Sequence, residues 1–403
     1  MKRNSNILGA PLIFIMLVQK SHARADTYRR IVEGILELGP RDIRGLSRLT
    51  GVPYNRAITA YNRVRGKLGL RVRAAPNTGV LGLRHVGFEA TPHPEFRDVA
   101  FAALKSVSSL NYLGVNANAP QNVFGVLYAP RGGGGEDYLR LFDLLVEGGF
   151  LRGYSITGFS QSERYSVRSD CIDWKTGRYV FDWSSLTPRR PEAESFDASE
   201  KPVADKTDLL LLKELEFDAT RSFSEISAAL ADKHGVKISD RLLLYHYTRH
   251  VVAHKMFTRY RVFLPLEDKL GVYIHARVDP NNRDEFLASV RRIPYLDREL
   301  LSDDGDYWSD HYLPPSDYAN LLLYIQTRLL PLAREMRVIT AHPKSFTSFT
   351  IPYELFDDEK CEWMHDPELD AESVIAKAKK LRSGEKNTLK SRPEPLRLQN
   401  TTQ

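Results

Sequence analysis

The stretch Leu49-Thr50-Gly51-Val52-Pro53 decides the fold of the first part of the chain. Glycine tolerates the positive φ that a sharp turn needs, and proline suits the first turn of a following helix. Before the stretch, apolar residues recur at helical spacing until Gly39-Pro40 ends a helix. After it, Tyr61 and Val64 mark the inner face of another helix. The pattern predicts a helix-turn-helix unit.

The last helix of this unit, predicted over residues 54–68, turns polar and basic side chains outward. Arginine suits guanine edges, asparagine suits adenine edges, and both reach phosphate. Basic residues crowd around a lone acid, Asp42, which indicates a phosphate backbone as partner. The alternative is that the three-helix unit only packs against another part of the protein and that its basic face is simply exposed to solvent. The candidate DNA-binding residues are Arg44, Asn55, Arg56, Thr59, Asn62, Arg63, Arg65 and Lys67.

A second unit of the same kind is predicted further along the chain. Leucines recur at helical spacing from Leu209, Gly235-Val236 supplies the turn, and Ser239 is suited to cap the next helix. Aligning Tyr245 with Tyr61 predicts that Leu242 and Val252 face inward. The candidate DNA-binding residues of this unit are Ser239, Arg241, His246, Arg249 and His250.

Self-similarity predicts that the chain is duplicated. Thr50-Gly51-Val52 returns as His234-Gly235-Val236, and residues 177–182 return as residues 361–366 at the same spacing. After each helical unit the pattern predicts the order β-α-β-β-α-β, which is the ferredoxin-like plan. The predicted fold class is therefore α+β, with two copies of a winged helix-turn-helix plus a ferredoxin-like domain.

The predicted domains follow from this duplication and from composition. Proline and polar residues mark the linker, and a shortage of apolar residues marks the tail. The predicted bounds are an N-terminal extension (1–24), a first winged helix-turn-helix (25–75), a first ferredoxin-like domain (76–183), a linker (184–204), a second winged helix-turn-helix (205–262), a second ferredoxin-like domain (263–366) and a basic, partly disordered tail (367–403).

The sequence resembles the Lrp/AsnC, or feast/famine, family of transcription regulators. Residues 49–53, the basic helix after them and the strand lead-in Leu81-Gly82-Leu83 carry the resemblance, and the tandem arrangement is similar to the two-unit regulators of archaea. The resemblance implies an effector-binding ferredoxin-like domain, a small-molecule effector such as an amino acid, and subunits that pair through their sheets. It identifies no residue of an effector pocket here.

The main functional prediction is a sequence-specific, cytoplasmic DNA-binding transcription regulator that is not an enzyme. Its two recognition helices are expected to form an internal pseudo-dimer on double-stranded DNA, at unlike half-sites about 34–36 Å apart. A homodimer or higher oligomer is compatible with this plan. The alternative is an enzyme, because the siroheme decarboxylases also resemble Lrp/AsnC proteins, pair two such units and act on a polyanionic tetrapyrrole.

Candidates for other chemistry are weaker. His246, His250 and His254 recur on one helix, but no carboxylate lies between them at ligand spacing, so no metal is predicted. Arg131 precedes a run of glycines that lacks the Lys-Ser/Thr ending of a phosphate loop and predicts a flexible loop. The aspartates around Gly305, which are Asp303, Asp304, Asp306 and Asp310, indicate a hairpin turn rather than a cation site. No catalytic residue and no cofactor are predicted.

Bulk composition is that of a folded, mildly basic protein. The 403 residues carry a formal net charge of +6, and two distant cysteines, Cys171 and Cys361, predict no disulfide framework. At the start, the apolar run from Ile7 to Val18 is too short for a membrane-spanning helix, and no membrane association is predicted. Three interpretations stay open for it: a secretory signal, a packed helix or strand, or an extension before a start at Met16.

Overall fold

The computed structural model of the chain describes residues 9–131, 135–189, 204–265 and 269–383. Helices and strands alternate throughout, so the predicted α+β class is confirmed. The first eight residues, the glycines at 132–134, most of the predicted linker (190–203) and the end of the predicted tail (384–403) lie outside the described residues. Two compact units are distinguished, and the smaller comprises the described parts of residues 1–72, 166–186 and 259–265.

The helices are α1 (Gly9–Leu38), α2 (Ile43–Thr50), α3 (Tyr54–Lys67), α4 (Ala100–Leu104), α5 (Gly135–Glu147), α6 (Lys206–Asp218), α7 (Phe223–His234), α8 (Asp240–His246), α9 (Arg283–Val290), α10 (Tyr318–Tyr324) and α11 (Pro367–Arg382). The strands are β1 (Arg71–Pro76), β2 (Leu83–Pro92), β3 (Leu110–Val115), β4 (Val123–Pro130), β5 (Leu151–Phe159), β6 (Gln161–Arg164), β7 (Ile172–Asp173), β8 (Arg178–Tyr179), β9 (Phe257–Phe263), β10 (Leu270–Val278), β11 (Leu296–Leu301), β12 (Asp306–Leu313), β13 (Ala333–Ala341), β14 (Phe346–Ser348), β15 (Phe356–Asp357) and β16 (Glu362–Trp363).

In the smaller unit, α1, α2 and α3 pack around a small apolar core. Ile31, Ile35 and Leu46 have no exposed surface. The Asp42 carboxylate caps α2 by accepting a hydrogen bond from the Gly45 backbone N–H at 2.8 Å. Gly51 ends α2 with φ of +65°, which is the left-handed geometry that the sequence predicts for this turn.

In the larger unit, two five-stranded sheets share one plan. The first has the order β14-β3-β4-β2-β5, and the second has the order β13-β10-β12-β11-β6. Each sheet has four antiparallel strands from one half of the chain, and a short fifth strand from the other half completes its edge. The predicted succession β-α-β-β-α-β is present in both halves.

The two sheets pack against each other through an aromatic-rich core. This core contains Phe124 and Phe159 from the first sheet and Tyr273 and Trp308 from the second. Gly87 permits the close approach, because a Cβ there would lie 2.8 Å from the Phe159 ring and 2.9 Å from Trp308. The outer face of the first sheet is covered by α4, α5 and α11 over a separate apolar core.

A second three-helix segment, α6 to α8, belongs to the larger unit. Leu209, Leu212 and Leu215 are fully buried, as their spacing predicts. Gly235 ends α7 with φ of +67°, and Ser239 caps α8 by accepting a hydrogen bond from the Leu242 backbone N–H, so the predicted cap is confirmed. In the described part of the chain, no helix is both long and apolar enough to cross a membrane.

Candidate functional site

A small cavity of about 50 Å³ lies beside β2, β4 and β6 in the larger unit. That volume holds a few water molecules. Its chemically active lining residues are His85, Tyr128, Glu163 and Arg164, and the other lining residues are Pro76, Asn77, Thr78, Ser162 and Thr258. The cavity therefore combines an imidazole, a phenol, a carboxylate and a guanidinium.

Strand pairing places the imidazole and the phenol side by side. His85 of β2 lies opposite Tyr128 of β4, and their ring centres are 5.3 Å apart. Both side chains are almost completely buried. The adjoining wall is held by Asn77, whose side-chain amide donates a hydrogen bond to the Lys255 carbonyl oxygen at 3.1 Å.

Arg164 comes from the short strand β6 at the edge of the second sheet. It pairs with Arg298 of β11 and forms an ion pair with Asp297 at 3.4 Å. Behind it, the fully buried Arg298 forms an ion pair with Asp310 at 2.7 Å and donates a hydrogen bond to the Asn111 side chain at 2.6 Å. Arg164 is thus the guanidinium that lines the cavity, and Arg298 is its partner on the neighbouring strand.

The surroundings fix the charge of each group. Burial, together with the charges of Arg298 and Arg164, holds the pKa of His85 well below 6.5, so the imidazole is neutral at pH 7. Burial raises the pKa of Tyr128, which stays a phenol. Burial opposes the charge of Arg164, but Asp297 and neighbouring groups outweigh it and raise its pKa. Besides the Glu163 carboxylate, the cavity therefore has two neutral proton carriers and one cation.

The position in the second sheet that corresponds to the cavity, called the second place below, is filled by aromatic rings. Gly271 of β10 lies opposite Tyr312 of β12, as His85 lies opposite Tyr128. The ring centres of Tyr312 and Phe346 are 5.6 Å apart, and a Cβ on Gly271 would lie 2.8 Å from the Tyr273 hydroxyl. Aromatic rings occupy the space that stays open beside His85.

Lys269 also borders these rings, with its ammonium 5.0 Å from the centre of the Tyr312 ring. Burial lowers the pKa of Lys269 to about 8, although Asp297 raises it. This lysine has the position that Leu83 has at the start of the first sheet. The second place is thus also chemically distinct from the cavity.

The candidate DNA-binding residues of the first helical unit lie on the surface. Arg44 of α2 is exposed. Of α3, the exposed candidates are Asn55, Arg56, Thr59, Asn62, Arg63, Arg65 and Lys67. The inner face of α3 is formed by Ala57, Ala60, Tyr61 and Val64. DNA binding by this face stays a prediction.

The predicted orientation of the second recognition helix is wrong. Leu242 and Val252 are 45% and 44% exposed, whereas Leu243 and Val251 are fully buried. The alignment of Tyr245 with Tyr61 failed because apolar residues lie around much of the circumference of α8, so several faces fit the same spacing. The helix also continues as a π-helix over Tyr247–Val252, which changes the angular spacing of its side chains.

Two of the predicted DNA-facing histidines point inward instead. His246 is 9% exposed, and its Nδ1 lies 2.8 Å from the Asp208 carboxylate of α6. His250 is half-buried, with its Nδ1 3.1 Å from the same carboxylate. By contrast, Ser239, Arg241 and Arg249 are exposed. The carboxylates that the sequence pattern lacked therefore come from a different helix.

The remaining candidates from the sequence are the aspartates around Gly305, the two cysteines and Arg131. Gly305 lies in the turn between β11 and β12 with φ of +87°, but Asp310 is buried in β12 beside Arg298 instead of belonging to that turn. Cys171 is buried, Cys361 is exposed, and neither forms a disulfide. Arg131 donates a hydrogen bond to the Leu83 carbonyl oxygen, while the predicted flexible glycine loop after it lies outside the described residues.

No family model and no curated protein matches this sequence. Among solved structures, the siroheme decarboxylase NirDL in co-complex with an iron-uroporphyrin III analogue is similar with a TM-score of 0.50 and 10% identity, over 89% of this chain and 99% of that chain. A second NirDL structure has a TM-score of 0.49, with the same identity and coverage. The L-Met complex of transcriptional regulator NMB0573 from Neisseria meningitidis has a TM-score of 0.26 and 18% identity, over 34% of this chain and 89% of that chain.

These likenesses show a fold and correct one prediction. The fold of the co-complexed siroheme decarboxylase extends over nearly the whole chain. The prediction that the chain is not an enzyme is contradicted, because the co-complexed structure that matches 89% of this chain is that of an enzyme. The alternative drawn from the sequence is better supported than the regulator.

Proposed function

We propose that the chain is a decarboxylase that acts on a carboxylate-bearing tetrapyrrole of the siroheme class. One observation carries the proposal: a neutral His85, a phenolic Tyr128 and a cationic Arg164 line a single buried cavity. The likeness in fold to a siroheme decarboxylase supports the substrate class. The tandem Lrp/AsnC-like plan of two helical units and two ferredoxin-like sheets is part of the same proposal.

Decarboxylation needs an environment in which a carboxylate is poorly stabilised and a proton donor is near. A carboxylate that is bound by a guanidinium is stabilised against loss of CO2, whereas one that is buried beside neutral groups is not. Tetrapyrroles of this class carry several carboxylates. Arg164 therefore anchors one of them, while His85 and Tyr128 face another.

The bond changes balance with one proton per CO2. The bond between the side-chain carbon and its carboxylate breaks, CO2 leaves, and the electron pair stays on the carbon. A proton from the Tyr128 hydroxyl or the His85 imidazole then forms a C–H bond, so that a carboxymethyl group becomes a methyl group. Solvent restores the proton, and no oxidant or reductant is consumed. Positioned acids of this kind typically accelerate a step about 100- to 10,000-fold.

The cavity is smaller than a tetrapyrrole, so the macrocycle cannot enter it whole. We infer that only carboxylate side chains at one edge of the substrate enter, while the ring lies outside. The lining residues outside both five-stranded sheets are Pro76 of β1, the loop residues Asn77 and Thr78, and Thr258 of β9.

The experiment is anaerobic incubation of the purified chain with siroheme, followed by mass spectrometry for products that have lost CO2. We expect turnover by the wild type and a loss of about 100-fold or more in His85→Gln. Ser348→Ala is the matched control, because Ser348 has the place in β14 that Arg164 has in β6. Wild-type protein that leaves siroheme intact would refute the proposal.

A second candidate function is DNA contact by α3. It is favoured by the exposed row of Asn55, Arg56, Asn62 and Arg63 on a helix of the smaller unit. Arginine and asparagine at these positions can reach phosphates and base edges. The expectation of a second recognition helix, at an unlike half-site, is not carried forward, because α8 turns His246 inward.

This candidate is tested by gel shift on duplex DNA at increasing salt. Arg56→Ala/Arg63→Ala should weaken binding and reduce the salt slope by roughly 2, since about one counterion is released per lost phosphate contact. Arg152→Ala, which removes an exposed arginine from β5, is the control. Binding that is equal in all three proteins would exclude α3 as the contact.

A further inference from the structure

The geometry points to a transition-metal site between α6 and the end of α8, and we propose that it binds Zn²⁺. Its four donors are Asp205, Asp208, His246 and His250, one ligand atom of each lying within 4.8 Å of all the others. A tetrahedral zinc ion with bonds of about 2.0–2.2 Å separates its ligand atoms by roughly 3.3 Å. The four groups are therefore close to the spacing that the ion requires.

Two independent local structures bring the donors together. Asp205 is the N-cap of α6, and Asp208 completes a capping box with it three residues later, so both carboxylates point to the same helix end. His246 ends α8, and His250 follows one turn later in the π-helix over Tyr247–Val252. The imidazole centres are only 4.8 Å apart.

The distances centre on one buried carboxylate. Asp208 is 1% exposed, and its oxygens lie 2.8 Å from Nδ1 of His246 and 3.1 Å from Nδ1 of His250. Asp205 is further away, with Oδ2 at 3.8 Å from Nδ1 of His246. A single carboxylate that faces two imidazole nitrogens needs protons, or a cation, between them.

The donor types select the metal. Imidazole nitrogen with carboxylate oxygen suits Zn²⁺ and its neighbours Co²⁺ and Ni²⁺, whereas Ca²⁺ and Mg²⁺ prefer oxygen alone. Asp205 is 42% exposed and His250 is 30% exposed, so an ion can reach the buried pair from solvent. A bound ion would clamp the start of α6 to the end of α8, and so would give this helical segment a structural role.

The test uses the full chain without a polyhistidine tag, stripped with chelator and titrated with ZnCl2 by calorimetry. We expect one tight site and a rise in Tm of about 5 °C at saturating zinc. CoCl2 should give the intense visible absorption of tetrahedral Co²⁺. MgCl2 should give neither response, since its ligand preference is different.

Variants locate the site. His250→Ala should weaken zinc binding about 100-fold or more, and Asp205→Asn should weaken it less, while circular dichroism without metal stays unchanged. His254→Ala is the matched control, because this exposed histidine lies four residues after His250, in the turn that follows the helix, and is outside the cluster. Zinc binding that is absent from the wild type, or that persists in His250→Ala and fails in His254→Ala, overturns the proposal.

Discussion

The two sheets of the larger unit have the same strand order but use one matching place in opposite ways. In the first sheet, a large residue, His85, is followed two positions later by Gly87. In the second, Gly271 is followed by Tyr273 at the same register. Side chains two residues apart share a face of a strand. The large and the small residue have opposite order in the two sheets, so the free space lies at a different position along that face. The first sheet keeps a cavity, whereas the second is filled.

The difference extends to the edge strands. β6 supplies Arg164 to the cavity, and β14 supplies Ser348 at the corresponding position. The first sheet therefore has an arginine beside open space, whereas the second has a serine beside packed rings. The two sites differ in both volume and charge. One copy of a shared strand plan thus keeps a cavity lined by polar groups, whereas the other is filled by packed rings.

Removal of the ring that fills the second place should have the largest effect. Tyr273 is fully buried, so Tyr273→Ala is expected to lower the free energy of unfolding by about 4 kcal/mol through lost burial and the cavity left behind. Urea denaturation measures this. Tyr245→Ala is the control, since that ring is 52% exposed and should change stability by roughly 0.5 kcal/mol or less. Equal effects would show that the second place is not tightly packed.

Replacing Arg164 with serine, the residue that β14 has at the corresponding position, should remove most of the activity. Arg164→Ser is expected to lower kcat/KM for siroheme roughly 100-fold, about 3 kcal/mol, because a buried carboxylate loses its charged partner. Anaerobic single-turnover assays measure this change. Arg164→Lys should recover part of the loss, because it keeps the charge without the two-pronged geometry. Full activity in Arg164→Ser would place the substrate carboxylates elsewhere.

Acid should act on the second sheet through His311, a residue with no exposed surface that replaces Leu127 of the first sheet. Burial lowers the pKa of His311 to about 3. The pKa of His311 is thus lower in the folded state than its unfolded value of about 6.5. The folded state therefore has its full stability above pH 6.5 and loses stability as the pH falls toward 3, because protons bind preferentially to the unfolded chain. Between pH 7 and pH 5 this loss should be about 2 kcal/mol.

His311→Leu should therefore reduce the dependence of stability on pH by that amount. The hydrogen bond between the Ser309 hydroxyl and Nε2 of His311, at 2.9 Å, is lost in the variant and lowers stability at every pH. Urea midpoints at pH 7 and pH 5 separate the two effects. His254→Gln removes an exposed histidine and should leave the pH dependence as it is. An unchanged slope in His311→Leu would mean that another group is titrating.

The sequence predicted the features that depend on neighbouring residues. It did not predict those that depend on contacts between distant segments of the chain. Turns at Gly51 and Gly235, the leucine stripe of α6 and the β-α-β-β-α-β order all follow from neighbouring residues. The cavity does not, since β6 is a four-residue strand that crosses to the other sheet and brings Arg164 to His85. No periodicity signals such an exchange.

The orientation of α8 was mistaken for a related reason. A helix that is apolar on every side gives no preferred face, and Asp208, which draws His246 inward, lies 38 residues earlier in the sequence. The contact that accompanies this orientation is a long-range hydrogen bond between His246 and Asp208. A useful signal was nevertheless present, because Asp205 and Asp208 have the spacing of a capping box that leaves two carboxylates at one helix end.

The smallest effects should come from the tyrosines that the two places share. Tyr128→Phe removes one proton carrier from the cavity, and we expect roughly a tenfold fall in kcat, because His85 still carries a proton. Tyr312→Phe retains the ring that packs on Phe346 and should leave kcat unchanged. Stability should change by about 1 kcal/mol or less in both variants, since only a hydroxyl is lost. If Tyr312→Phe were instead the one to slow turnover, the chemistry would belong to the filled place, and the division of labour between the sheets would be reversed.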